Sequence, residues 1–488
     1  MKKLFAIIPV LFTCCVTAQN NDDIIIGKRE SIYSDTLSEK RTFLVYSPDI
    51  TSQNVGPQKR YPVLYLLDGS AHFYSTVGII QQLSQANGNG VLPEMMVVAI
   101  ESTNRMKDFV PSTDPTAPNR FVQFLKSELI PHIEKHYPTA PYRLIAGHSL
   151  GGLLVINFLT QEPALFNAHI AIDPSMWYAN EVFLKRMISH FPAKNLKSKS
   201  LFLGVANTLP VGVHLSQVRK DQSAETRHLR SILRLDDFLK KNTAALYYAD
   251  KFYDRERHNT VPLLTIYDGL RFIFDFYSFD AGEKDFLDST ASIAHKLRTH
   301  YANVSARLGY QNAAPESLVN YIAFEALKSK HHRKAEALLK LNVEWYPNSF
   351  RSFDALADYY MELNDSASAI EYYKKALSVE ANELTAGKLA AIIRSGKLVD
   401  STVDLKRYAG VYNLEQYNIL ILLEVRGNSL WAKVPGQADD EFQMLSENVF
   451  TVKGKQGYHI KFEMDADKPK GFVSVQPNGT FKAVFKSR

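Results

Sequence analysis

At 488 residues the chain is too long for one ordinary core, and roughly 150 residues per domain leads us to expect several folding units. Hydrophobic residues at 45% and charged residues at 22% match a soluble globular average and exclude a disordered or collagen-like chain. The formal charge of +6 is mild and its Lys and Arg are dispersed without a basic stripe, which argues against a nucleic-acid partner.

Met1-Lys2-Lys3 supplies a positive start, Leu4 to Val16 an apolar stretch and Val16-Thr17-Ala18 a small-residue exit. These are the three parts of a secretory signal over 1–18, with cleavage expected after Ala18. Loss of Lys2 and Lys3, with no acidic residue before Ala18, takes the formal charge from +6 to +4. The stretch is too short for a permanent membrane helix and no later run of about 20 apolar residues follows, so a periplasmic or secreted protein is expected. Cys14 and Cys15 both fall inside the signal, so the remainder needs no disulfide. Leu11-Phe12-Thr13-Cys14 also admits a lipid-anchored form, for which Phe12 and Thr13 are poor residues.

Between about 40 and 280, short apolar runs alternate with amphipathic stretches, the pattern of a mostly parallel sheet covered by helices. Strands are expected over 42–46, 63–67, 95–100, 143–146, 169–172, 201–205 and 246–248. Phe121, Phe124, Leu125, Leu129 and Ile133 recur at helical spacing. Pro138 and Pro141 then break the chain before the next strand. The fold class expected for 19–285 is α/β, with a connecting helix and linker over 286–315.

Beyond about 285 the pattern is helical only. A shift of 34 residues aligns Lys334-Ala335-Glu336-Ala337 with Ser368-Ala369-Ile370-Glu371, and Pro347-Asn348 with Ala381-Asn382. Residues 316–398 therefore resemble tetratricopeptide repeats, with Ala357, Tyr359, Ala369, Tyr372, Ala376 and Leu377 suited to packing in the second unit. Two units are few, so they are expected to lean on the preceding domain or on a protein partner. A small all-β domain is expected over 402–488, as a barrel or curled sheet, with strands at 419–425, 429–434, 449–452 and 459–463. Tyr408-Ala409-Gly410-Val411-Tyr412 and Leu430-Trp431 resemble an accessory β-domain found behind other serine hydrolase domains. No catalytic constellation lies in it.

Gly147-His148-Ser149-Leu150-Gly151-Gly152 follows the apolar run 143–146 and precedes the helical run 153–159. A strand before and a helix after are the context of a nucleophile elbow, in which small neighbours let the chain turn sharply and Ser149 Oγ point outward. The bland alternative is a Gly-rich turn with an idle serine. A serine hydroxyl needs a base, and His258 in Glu256-Arg257-His258-Asn259-Thr260-Val261-Pro262 follows the last strand of the α/β region, where such a base belongs. A surface-loop histidine is the alternative for His258, while His331 and His332 fall in the helical repeats.

Over roughly residues 30–280 the chain closely resembles the esterase family of α/β-hydrolases that includes enterochelin esterases, esterase D-type enzymes and some feruloyl and acetylxylan esterases. The matching pieces are Tyr61 to Gly69, Asn104-Arg105 with Asp108 to Ser112, the Ser149 elbow, Pro174 to Trp177, and His258 through Leu270. The resemblance implies an α/β-hydrolase domain and an oxyanion hole made by the backbone N–H groups of Leu150 and Ser70. Asp68 is read as ordering that loop, Arg105 and Asp108 as a local pair, Arg105 as a lesser substrate contact, and Trp177 as a cleft wall or a core residue.

The acid departs from the family pattern. Many relatives carry a carboxylate just after the strand matching 201–205, where this chain reads Ala206-Asn207-Thr208-Leu209-Pro210. Asp221 is the first choice, Asp173 the second, and a Ser149–His258 dyad the third. No H-E-x-x-H pair, Cys cluster, Walker loop or G-x-G-x-x-G after a strand is present, so no metal or cofactor is expected. The expected activity is hydrolysis of a carboxylic ester through an acyl-enzyme, on a siderophore or a carbohydrate-linked ester, with a thioester open to the same chemistry. The rival is a non-catalytic binding or scaffold protein on a hydrolase fold, with repeats that hold a partner.

Overall fold

The computed structural model describes residues 24–488 apart from 49–58, 85–89, 115–116, 118, 192, 243, 394–403, 428, 447, 467, 477–478 and 488. The expected signal over 1–18 lies outside the described residues. Among them, the first eight strands are β1 Lys28–Ser34, β2 Glu39–Tyr46, β3 Tyr61–Leu66, β4 Met96–Ile100, β5 Thr139–His148, β6 Ala168–Ile172, β7 Ser200–Ala206 and β8 Tyr247–Tyr253. They form one sheet in the order β1-β2-β4-β3-β5-β6-β7-β8. The β1–β2 and β2–β4 pairs are antiparallel and all others parallel.

Every residue of β3, β4 and β6 is buried, as strands covered on both faces must be. Alternation assigns the two faces. Leu64, Leu66, Val97 and Ile170 join the core beneath the helices Gly69–Ser84 and Val261–Ile273, whereas Val63, Tyr65, Val98 and Ile145 meet Phe124, Leu129, Leu154 and Leu184. The helix expected around Phe121 to Ile133 is present over 120–136, with a π-helical turn at Leu125–Leu129.

After the sheet the chain is helical: Ser292–Leu308, Glu316–Lys328, His332–Trp345, Phe350–Glu362, Ser366–Val379 and Glu383–Ile393. The helices starting at Glu316 and His332 recur 34 residues later at Phe350 and Ser366, the spacing expected from the sequence. Ile293, Leu297, Tyr301, Val304 and Leu308 recur on one helix face and belong to the same apolar core as Ile273 and Phe274, which continues to Leu338, Leu339 and Tyr359.

The last eight strands are β9 Gly410–Leu414, β10 Ile419–Arg426, β11 Ser429–Lys433, β12 Asp440–Ser446, β13 Val449–Val452, β14 Lys455–Asp465, β15 Lys468–Gln476 and β16 Gly479–Ser487, closed into a barrel by β9 between β10 and β16. Tyr408, Tyr412, Phe450, Phe462 and Phe472 fill its interior. The Tyr412 hydroxyl donates to the Tyr408 carbonyl at 2.8 Å, so the Tyr408–Tyr412 motif is the barrel's plug.

The barrel meets the helices beside a buried charge cluster supplied by two of the helices. Lys388 Nζ lies 2.6 Å from Asp354 Oδ2 and 2.8 Å from Asp358 Oδ1, all nearly buried, and His459 of β14 places Nε2 3.3 Å from Asp358 Oδ2. Burial raises the Asp358 pKa, but the Lys388 charge outweighs it and holds the carboxyl well below the usual range. Lys388→Met leaves two buried carboxylates without their ammonium and should lower unfolding stability by about 3–5 kcal/mol, read as a fall in melting temperature by scanning calorimetry. A chain ended at residue 285 uncovers the apolar surface around Ile273 and Phe274 and should elute as aggregate in size-exclusion chromatography, where the full chain runs as a discrete species.

Candidate active site

The parallel strands end side by side, and the residues that leave them meet in one cleft. Ser149 leaves β5 with φ 59° and ψ −113°, a conformation non-glycine residues rarely adopt. Its neighbours make the turn passable, since a Cβ on Gly147 would sit 2.6 Å from the Gly151 carbonyl oxygen and one on Gly152 would sit 3.0 Å from that of Ile172. The Ser149 N–H donates to the Ile172 carbonyl at 2.9 Å, and the Ser149 carbonyl accepts from the N–H groups of Leu153 and Ser175. Ser149 Oγ then stands 3.1 Å from His258 Nε2 and 3.1 Å from Ser175 Oγ.

His258 comes from the loop after β8, ahead of the Val261–Ile273 helix. Its Nδ1–H donates to Asp173 Oδ2 at 2.6 Å, which fixes the tautomer and leaves Nε2 with a lone pair toward Ser149. Asp173 is the first residue past β6, with φ 39° and no exposed surface. Its N–H donates to the Gly204 carbonyl, Oδ1 accepts the Ala206 N–H at 3.0 Å, and Oδ2 also accepts from His228 Nε2 at 2.9 Å. Burial alone would raise the Asp173 pKa, but the hydrogen bonds from His228 and His258, the charge of His228 and the Ala206 N–H outweigh it and hold it at about 2. The His148 ring centroid lies 4.4 Å from that of His258 with the planes tilted at 45°, and burial, with His258 and His72 nearby, pushes the His148 pKa down to about 4, so it stays neutral beside the site.

Two sequence expectations are corrected. Asp221 is not the carboxylate beside His258: its Oδ1 accepts the Ser223 N–H at 2.6 Å within its own loop. Asp173, the second choice, lies against Nδ1 because the end of β6 stands in register with β5 and β7, whereas Asp221 is on a separate loop. Arg105 and Asp108 do not pair. Arg105 makes a two-point contact with Asp68, at 2.7 and 3.0 Å, and donates to the His148 carbonyl at 3.1 Å. Asp108 turns into the protein, where Arg41 at 2.7 Å and Ser102 at 2.8 Å take its carboxylate.

The expected oxyanion donors, Leu150 and Ser70, begin the helices Leu150–Gln161 and Gly69–Ser84 at the carboxyl ends of the adjacent strands β5 and β3. Asp68, with φ 56°, leads into the second of these, and its clasp by Arg105 ties that turn to the elbow. Ser149, Ser175, Trp177, Ala224, Arg227, His228 and His258 line a cleft of about 340 Å³. Trp177 thus stands at the cleft, with the Arg227 guanidinium 5.0 Å from its ring centroid. His228 and Arg227 escape sequence reading because they start an ordinary amphipathic helix, Arg227–Lys240, with no motif around them. Ser175 was visible only as part of Pro174-Ser175-Met176-Trp177. The 2.6 Å separation of His258 Nδ1 and Asp173 Oδ2 is that of a charge-assisted hydrogen bond and is too short for two ligands spread around one metal ion.

Residues 34–208 match the model of the family described as "Putative esterase". Ferri-bacillibactin esterase BesA of Bacillus subtilis is 28% identical over 213 residues, covering 39% of this chain and 70% of that protein. Siderophore triacetylfusarinine C esterase of Aspergillus fumigatus is 23% identical over 248 residues, covering 45% of this chain and 83% of the relative. The crystal structure of an IroE-like serine hydrolase from Shewanella oneidensis superposes with a TM-score of 0.51 at 25% identity, over 65% of this chain and 99% of that one. The family match falls within the α/β region of the chain, which is similar to this esterase family. Among the described residues no helix is long and apolar enough to cross a membrane.

If the Arg105–Asp68 clasp positions the turn before Ser70, Arg105→Ala should lower kcat for an aryl ester about 100-fold through misplacement alone, with far-ultraviolet circular dichroism unchanged. An undiminished kcat would mean that the turn holds its shape without the clasp.

Proposed function

We propose that the chain is an exported serine carboxylester hydrolase that works through an acyl-enzyme on Ser149, with His258 as base and Asp173 as the acid that orients it. The observation that carries this reading is the unbroken line from Ser149 Oγ to His258 Nε2 at 3.1 Å and from His258 Nδ1 to Asp173 Oδ2 at 2.6 Å. Export rests on the signal pattern of 1–18.

In the first step Ser149 Oγ bonds to the ester carbonyl carbon while its proton passes to His258 Nε2. Negative charge gathers on the carbonyl oxygen, for which the Leu150 and Ser70 N–H groups are the donors, each contributing about 3 kcal/mol where such donors have been removed in related chemistry. The alcohol leaves with the proton from His258. Water then attacks the acyl-enzyme as His258 takes its proton, and the acid is released with Ser149 restored. Asp173 supports the imidazolium in both steps, and its low pKa keeps it charged throughout the working range.

The Bacillus subtilis and Aspergillus fumigatus relatives are named for siderophore esters, which makes that class the first candidate, with a carbohydrate-linked ester second. Arg227 over Trp177 gives the cleft a positive charge beside a flat apolar face, which suits an aromatic or anionic portion of such an ester.

Ser149→Ala should abolish turnover and labelling by a fluorophosphonate, while Asp173→Asn should lower kcat about ten-thousand-fold, as loss of the acid does in a related triad. Asp221→Asn should leave kcat unchanged. Full turnover by a cleanly purified Ser149→Ala variant would overturn the reading, and a panel of catecholate, hydroxamate, feruloyl and acetyl-sugar esters would select the substrate class.

A further inference from the structure

We propose that His228 is a positioning residue of this site, a second imidazole that holds Asp173 in place and must be neutral for His258 to act as base. The inference rests on the triad reading above and extends it to a residue outside the triad.

Asp173 Oδ2 serves two rings at once, His258 Nδ1 at 2.6 Å and His228 Nε2 at 2.9 Å, while Oδ1 is taken by the Ala206 N–H at 3.0 Å. With no exposed surface and three donors on two oxygens, the carboxylate cannot turn about its Cβ–Cγ bond without breaking at least one bond. The two rings stand at 89° with centroids 5.2 Å apart, so each reaches the shared oxygen edge-on without displacing the other. His228 also lines the cleft beside Ser149 and Trp177, and its side chain keeps 20% exposure, so the solvent that reaches the substrate reaches this ring.

The charge around the pair makes the protonation state matter. The groups in contact with His228 are Asp173 past β6 and His258 on the loop after β8, and His148 at the end of β5 lies on the far side against His258. On its own helix, Arg227 is laid over Trp177, Arg230 donates to the Ser223 carbonyl and the Thr226 hydroxyl, and Arg234 pairs with Glu181 of the opposing helix. Among the described residues, Asp173 is therefore the one anion in contact with either ring. A neutral His228 donates one N–H to Asp173 and leaves the whole negative charge to support the imidazolium that forms on His258. A protonated His228 neutralises that charge in advance and sets a cation 5 Å from the nascent imidazolium, which opposes proton transfer from Ser149. Activity should therefore be lost on acidification through two protons, one on His258 and one on His228.

The test is the pH profile of kcat/KM on a soluble aryl ester for the full-length protein. In the unsubstituted enzyme the acid limb of the log–log plot should steepen from a slope of one toward two. His228→Ala removes the donor and should lower kcat about tenfold, the worth of one hydrogen bond to a charged group, with KM little changed. His228→Gln keeps an N–H for Asp173 but cannot be protonated. It should recover most of the kcat lost by His228→Ala at pH 8 and show an acid limb of slope one. A residue that merely packs would leave the slope as it was. If His228→Ala does not fold, the His228→Gln profile alone decides. A one-proton limb in the unsubstituted enzyme, or a two-proton limb that survives in His228→Gln, overturns the proposal. Loss of activity in Ser149→Ala and Asp173→Asn alongside either result would leave the triad reading standing, whereas full activity in those variants would remove the triad itself.

Discussion

The ladder between β5, β6 and β7 determines where everything in the site can be. His148 pairs with Ile172 and Ile172 with Gly204, and each ladder runs one bond past its last pair, from the Ser149 N–H to Ile172 and from the Asp173 N–H to Gly204. Immediately afterwards the chain turns out of the sheet with positive φ at Ser149 and at Asp173, and Asp68 does the same past β3. Such conformations cost of order 1–3 kcal/mol each and persist only where the surroundings over-determine them. Here the surroundings are the wholly buried central strands β3, β6 and β7, whose register cannot slip without moving their core side chains to the wrong face. The strain is therefore an outcome of the sheet, and the convergence of three polar side chains at one end follows from it.

His258 needs a different support, because it lies on a loop. That support comes from Asn207, the first residue past β7. Its side-chain amide donates to the Asp254 carbonyl at 2.7 Å, its N–H donates to the Glu256 carbonyl at 2.8 Å, and its carbonyl accepts from Arg257 at 2.9 Å. Three bonds from one residue hold the segment leading into His258 against the end of β7. Asp173 at Nδ1 and the Asn207 amide at the loop thus hold His258 from two sides.

This division explains what the sequence could and could not tell. The elbow was legible because its glycines, strand and helix are contiguous, and the central strands because they are short apolar runs between breakers. The choice between Asp221 and Asp173 was not, since it depends on which strand end lies beside the His258 loop, a non-local fact carried by strand order. Arg105 seemed a partner for Asp108 from spacing alone, yet the short helix Arg105–Phe109 sends Asp108 inward to Arg41 and leaves Arg105 to Asp68. The strands β1, β12, β15 and β16 were missed because they carry many polar residues. β1 is an exposed edge, and β15 and β16 carry exposed Lys and other polar residues, so no apolar run announces them.

The two accessory regions are joined to the hydrolase region by unlike means, and this bears on what each can do. The helices share one apolar core with the sheet, from Phe274 through Tyr301 to Leu338, so they complete the surface of the hydrolase region and are not tethered to it. The barrel has its own core around Tyr408, Tyr412 and Phe462 and meets the helices where Asp354, Asp358, Lys388 and His459 are buried. Apolar contact alone is indifferent to rotation. The Lys388 ammonium and both carboxylates belong to the helices, and the barrel reaches this cluster with His459 of β14, whose Nε2 lies 3.3 Å from Asp358 Oδ2. A rotation of the barrel would carry His459 away from Asp358, while the barrel interior, packed with aromatic rings, leaves the outer face as the surface the barrel can offer to anything else.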